Sequence, residues 1–359
     1  MRRDVRRESV LQLGFCLLLL SSCTLPGSAV PVVKIGLIAP FEGLGRPLGY
    51  QLLPAVKIAL EDANATGELG RYRIALVALN DDLDPATAAR QAQALAADDS
   101  LLGALGPWTS ETAAAAAQAF GEAGLPALVG APLADAPRAG APLANAPLAP
   151  VPIPGAQAVF SLCPSFSDIA AQLLQKAGQL GPGRVATAGP PGELLRALAV
   201  LLPPPADAAS PGAVRVVLYS GGAAAAAEEL ARRQASGGQG VLLGGPDLAQ
   251  PWLAGLAGQA AEGTWALACS TEPGGRAPGL PAGVAARFAA RYQAQAGAPP
   301  GAQAMLAYWG ARRLVGALAE DVRAHGGPSR AGMAAALGRD AGGPGLVWLQ
   351  IQDGGFVPR

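Results

Sequence analysis

From Val32 onward, short apolar runs alternate with longer stretches whose apolar residues recur at helical spacing. "VVKIGLIAP" is rich in β-branched residues and reads as a strand, whereas "LGYQLLPAVKIALEDANA", ending in "NATG", reads as a helix. "YRIALVALND", "LLGALG" and "PALVGA" predict further strands, with helices in "DPATAARQAQALAAD" and "SETAAAAAQAFGEAG". In the second half, helices in "FSDIAAQLLQKAGQ", "ELLRALAVLL" and "AAEELARRQASG" alternate with strands in "RVATAG", "VRVVLYSG", "QGVLLGG" and "AEGTWALAC". Three helices follow: "AGVAARFAARYQAQAG", "GAQAMLAYWGARRLVGALAEDV" and the weaker "SRAGMAAALGR". The chain closes on "GLVWLQIQDGGFVP". Strands alternating with helices of about a dozen residues predict an α/β protein, its parallel sheets covered by helices on both faces. A chain of 359 residues has length for one large or two ordinary domains.

Two segments break the rhythm. Residues 131–155, "APLADAPRAGAPLANAPLAPVPIPG", carry proline every few positions, which excludes both helix and central strand. The run reads as a surface excursion or polyproline-like linker without side chains suited to chemistry. At the N-terminus, "MRRDVRRES" holds four arginines, "VLQLGFCLLLL" is an apolar core too short to span a bilayer, and "LSSC" closes it. "LSSC" resembles the bacterial lipobox. That implies an export signal over residues 1–22, lipid attachment to Cys23 and a tether over 23–31. An ordinary signal cut near Ala29 is the other reading. Acyl chains, at roughly 0.8 kcal/mol per buried CH₂, would make a durable anchor.

Composition narrows the partners. The 26 basic and 26 acidic residues balance, so no basic excess exists to neutralise phosphates, and nucleic acid is excluded as a partner. Cys16 leaves with the signal, while Cys163 and Cys269 remain in a compartment where disulfides persist.

Candidate chemistry is sparse. The single histidine, His325, lies at a helix C-terminus, where it complements the helix dipole. One histidine and distant cysteines exclude the usual zinc spacings, and no GxSxG nucleophile motif occurs. "GLGRPLG" lacks the ending of a phosphate loop and reads as a flexible turn. "NDDLDP" clusters three carboxylates after a strand, but Asp84-Pro85 reads more simply as an N-cap with proline at the first helical position. "GPWTSETAAAAAQAF" is different: a strand, a tight turn, then Thr109, Ser110 and Glu111 at a helix start. Free N–H groups and the helix dipole suit an anion there, although Ser and Thr are also the usual caps.

In order along the chain, "VKIGLIAPFEGLGRPLG", "IALEDANATGEL", "DDLDPATAARQAQAL", "SGGAAAAAEELARRQASG", "LLGGPDL", "AEGTWAL" and "AYWGARRLV" resemble the substrate-binding proteins of branched-chain amino acid ABC transporters. The resemblance runs from about Val33 to Pro358. It implies the type I periplasmic-binding-protein fold, two doubly wound parallel-sheet lobes joined by a three-strand hinge. Lobe 1 would comprise 32–162 and 269–343; lobe 2 would comprise 163–268 and 344–359. The implied function is an exported, lipid-anchored monomer, facing the periplasm or cell exterior. It would close on an amino acid or similar solute and deliver it to permease subunits with their ATPases. No enzymatic chemistry, cofactor or metal is implied.

By the same resemblance, Thr109 and Ser110 would receive the solute's carboxylate and Asp247, in "GGPDL", its ammonium; Asp247 also reads as an N-cap of the segment after it. Trp108 would cover the solute's apolar part or simply pack in the core. Tyr219 lies near a cleft-lining aromatic position, whose own slot falls to Gly222. "FSLCPS" and "WALACS" would be neighbouring strands crossing between lobes, so Cys163 and Cys269 are either a hinge disulfide or two independent buried thiols. Departures from the family are plain. No threonine follows "PALVGA", "GPPGELL" carries no aromatic, "LLPPPADAASPGA" replaces a strand–helix unit, and the usual closing hairpin is lost. They leave open a second reading, a lipoprotein of this fold with a degenerate cleft, acting by protein contact as cell-wall synthase activators do, or as a sensor.

Overall fold

The computed structural model describes residues 30–133, 158–181, 183–202, 214–270, 283–339 and 344–359. The export signal, Cys23, the tether as far as residue 29 and the proline-rich run from residue 134 lie outside the described residues.

Strand β1 (Val32–Ala39) is buried along nearly its whole length, as a strand covered on both faces must be. It pairs in parallel with β2 (Arg73–Asn80) on one side and β3 (Leu101–Leu105) on the other. Strands β4 (Ala127–Val129) and β5 (Val159–Ser161) extend the first sheet to the order β2-β1-β3-β4-β5, all parallel. Three helices connect these strands: α1 (Arg46–Thr66), α2 (Pro85–Ala96) and α3 (Ser110–Glu122). Helix α1 begins at Arg46, two residues before the expected Leu48, because Pro47 is tolerated in a first turn. "GLGRPLG" is therefore not a flexible turn. A Cβ on Gly49 would lie 2.1 Å from the Pro40 carbonyl oxygen, so that glycine serves close helix–strand packing.

Helix α4 (Phe166–Gln179) follows β5, with a capping box between Ser165 and Asp168. It leads into the second sheet, ordered β11-β10-β9-β8-β7-β6. Strands β6 (Arg184–Ala188), β7 (Val214–Tyr219), β8 (Val241–Gly244) and β9 (Trp265–Ser270) run parallel. Between them lie α5 (Glu193–Leu201), α6 (Ala223–Ala235) and the short α7 (Leu253–Ala257). The chain then returns: α8 (Val284–Ala296) and α9 (Ala302–His325) pack on α1, and α10 (Arg330–Arg339) packs on α9 and β3.

A last crossing brings β10 (Gly345–Gln352) and β11 (Gly355–Pro358) to the second sheet, both antiparallel to their neighbours. The closing hairpin expected to be lost is present. Asp353 and Gly354 take φ of 51° and 75°, the left-handed pair of a two-residue hairpin turn, and Gln352 pairs with Gly355. His325 ends α9 with Nδ1 2.7 Å from Asp321, whose carboxylate also accepts from the Ser329 N–H, so that end is tied structurally.

Candidate functional site

The site starts where β3 gives way to α3. Gly106 has φ +87°, and a Cβ there would meet the Ile38 carbonyl oxygen at 2.1 Å, so only glycine fits the turn. Thr109 is the N-cap, with extended backbone, and forms a capping box with Thr112, their hydroxyls 2.7 Å apart. Its side chain is thus committed to the helix. Ser110, the first helical residue, is not: its N–H points out of α3 and its hydroxyl is buried without a hydrogen-bond partner.

The Ser110 N–H donates to Asp247 Oδ1 at 2.9 Å. Asp247 arrives from the other sheet, in the turn after β8 that the Leu248 N–H closes on the Gly245 carbonyl at 3.0 Å. It does not cap the segment after it, since α7 has Trp252 at its N-cap and no side-chain cap bond. Instead it places a carboxylate at the positive end of a helix in the opposite half of the molecule. Burial pushes the Asp247 carboxyl above its usual range. The Ser110 side chain and N–H oppose that rise, and the charge of Glu111 adds to it.

Trp108 and Tyr219 are each 2 % exposed. The indole lies over Gly130, just past β4, where a Cβ would meet Trp108 Cε3 at 2.1 Å; its Nε1 is buried without a partner. That contact lies within "PALVGA" itself, and the residues after Leu133, where the family resemblance would place a threonine, are outside those described. Tyr219 ends β7 and clusters with Ala223, Ala226 and Leu230 of α6. Burial, then the charge of Glu229, raise its phenol above the usual range. Among the described residues no hydrogen bond joins it to Ser110 or Asp247. Cys163, two residues past β5, and Cys269, in β9, are disulfide-bonded with Cα atoms 5.3 Å apart.

One charged residue escaped the sequence reading. Asp84 does cap α2, accepting from the Thr87 N–H at 2.7 Å. Asp81 beside it is fully buried, accepts from the Leu83 N–H at 3.1 Å through Oδ1, and leaves Oδ2 without a partner. Burial lifts its pKa to about 6, with Asp82 and Asp84 adding repulsion. The signal was the turn itself, since Asp82 and Leu83 both adopt positive φ and fold the chain back over Asp81. Among the described residues no cluster of histidine, cysteine or carboxylate could hold a metal ion.

A family model described as periplasmic binding protein matches residues 32–199. A leucine-binding protein of Thermotoga maritima shares 18% identity over 91% of this chain and 97% of that one, with a TM-score of 0.69. A possible leucine/isoleucine/valine-binding protein from Rhodopirellula baltica matches at 15% identity over 94% and 98%, with a TM-score of 0.70. An ABC transporter substrate-binding protein from Desulfitobacterium hafniense, solved in complex with Leu, matches at 18% identity over 91% and 100%, with a TM-score of 0.64. No curated protein matches the chain. The likeness is one of fold, and it defines the class: a bilobed α/β architecture of two sheets. In particular, the chain has the type I periplasmic-binding-protein fold.

Proposed function

We propose that the protein is an extracytoplasmic solute-binding lipoprotein of an ABC importer. In this reading two lobes, 32–162 with 269–343 and 163–268 with 344–359, close over an amino acid of the branched-chain type or a similar small polar solute. The carrying observation is the meeting of Ser110 and Asp247 from opposite sheets, 2.9 Å apart. The family likeness expects a carboxylate grip and an ammonium grip to face each other across such a cleft. The Ser110 end of α3, with Thr109, supplies the first and Asp247 the second, and Trp108 and Tyr219 complete the proposed ligand-binding set. Binding and closure are the work; ligand contacts shift an open–closed equilibrium and no covalent step is involved. Lipid on Cys23 holds the protein near permease subunits and their ATPases.

Calorimetry or thermal-shift titration with leucine, isoleucine, valine, other amino acids, amides and urea tests this. A saturable response to at least one solute is expected, weakened by Ser110→Ala. Silence towards all of them, with a Ser110→Ala/Asp247→Ala pair indistinguishable from wild type, would sink the transport reading. One observation favours a second reading. The two grips bond each other, as in a cleft that has given up its solute and acts by protein contact.

A further inference from the structure

The Ser110 N–H belongs to the first residue of α3, at the positive end of a helix of 13 residues. That is where a carboxylate entering from solution would be held best, by an unused backbone donor and the helix dipole. In this structure the donor is already taken, by a carboxylate of the chain itself. We infer that Asp247 is the site's own occupant, standing in for a solute carboxylate. A solute carboxylate then enters only when the same molecule brings a donor, an ammonium or amide N–H, to satisfy Asp247 once it lets go. This rests on the solute-binding reading and narrows its substrate class: zwitterions and amides are admitted, and simple carboxylates are refused.

Three features of the contact carry the inference. First, the contact spans the two sheets, so a solute taken between them at this helix end must break it. Second, Asp247 is under-satisfied. It receives one N–H, while the Ser110 hydroxyl is buried beside it without completing a hydrogen bond. What eases its charge comes from Ser110 and falls short of the cost of burial, so the carboxyl is held above its usual range. A donor delivered by a solute would correct that deficit, which makes displacement favourable. Third, the local charge is negative. Glu111 is exposed one residue along α3 and raises Asp247 further. A carboxylate arriving without its own donor would displace Asp247 only to face two like charges, a juxtaposition that costs several kcal/mol at contact.

The contact itself is tested without any solute. In ligand-free mature protein labelled with ¹⁵N-serine, the Ser110 amide signal, identified by its loss in Ser110→Ala, is expected to shift with pH as the Asp247 carboxyl titrates. Asp247→Asn is expected to abolish that shift while retaining the fold. An amide signal that titrates identically in both proteins, or in neither, overturns the inference. The selectivity is tested with leucine and with 4-methylpentanoate, which keeps the carboxylate and branched chain and lacks the ammonium. Wild type is expected to refuse 4-methylpentanoate, and Asp247→Ala to bind it about tenfold tighter or more, as removal of a like charge predicts. Wild type binding 4-methylpentanoate as tightly as Asp247→Ala also overturns it. A titrating Ser110 amide with no response to any solute retains Asp247 as occupant and sinks the transport reading instead.

Discussion

Asp81 shows how a residue unconnected with solute shapes the molecule's response to pH. Its pKa rises from 3.8 to about 6 because the carboxyl is buried with a single N–H partner. The folded state therefore holds the proton more tightly than the unfolded chain. Stability is fullest below the unfolded pKa and is lost as pH climbs from about 4 to about 6, by a total near 3 kcal/mol. Asp81→Asn keeps an acceptor for the Leu83 N–H and removes the charge. Thermal melts should show it more stable than wild type at pH 7.5 and flatter between pH 4 and 6; an unchanged slope would assign the pH response elsewhere. The sequence could not reveal this, because "NDDLDP" shows three acids alike and only the positive φ of Asp82 and Leu83 sorts them.

At the scale of the element, α3 divides its labour between adjacent residues. Thr109 closes the helix through Thr112, while Ser110 gives its N–H to Asp247 and keeps its hydroxyl out of the helix cap. Thr109→Ala should cost about 1 kcal/mol as a lost cap. Ser110→Ala should cost less, about 0.5 kcal/mol, since its hydroxyl closes no helix turn and only eases the buried Asp247 charge. Denaturant unfolding of the two variants checks this; equal losses would make both residues caps. The helices and strands were readable because each has an apolar face of the right period, and α4 falls on the predicted "FSDIAAQLLQKAGQ". The hairpin was misread for the opposite reason. "QDGG" carries a turn signal in two residues, and comparison with a longer family motif masked it. Ser110 and Asp247 were picked from the sequence as two ends of a solute. Their bond to one another depends on how two sheets face each other, which no local pattern encodes.

For the whole molecule, the strongest tie between the halves is covalent. Cys163 and Cys269 are separated by 106 residues, and in the chain-entropy picture a loop of that size gives a disulfide about 4–5 kcal/mol. A Cys163→Ser/Cys269→Ser variant should unfold at lower denaturant by a comparable amount, and reductant should lower the wild type to the same midpoint. A variant as stable as wild type would mean that burial alone holds the two strand ends together. Both sulfurs lie where the chain passes between sheets, at the end of one β-layer and along a strand of the other. Joined there as well as by the chain's own crossings, the two bodies cannot separate at that point and move by turning about it. The bond therefore sets a fulcrum, and a residue travels further for a given angle the farther it lies from the sulfurs. A rotation about the sulfurs is thus a way to make or break the bond between Ser110 and Asp247 that joins the two sheets.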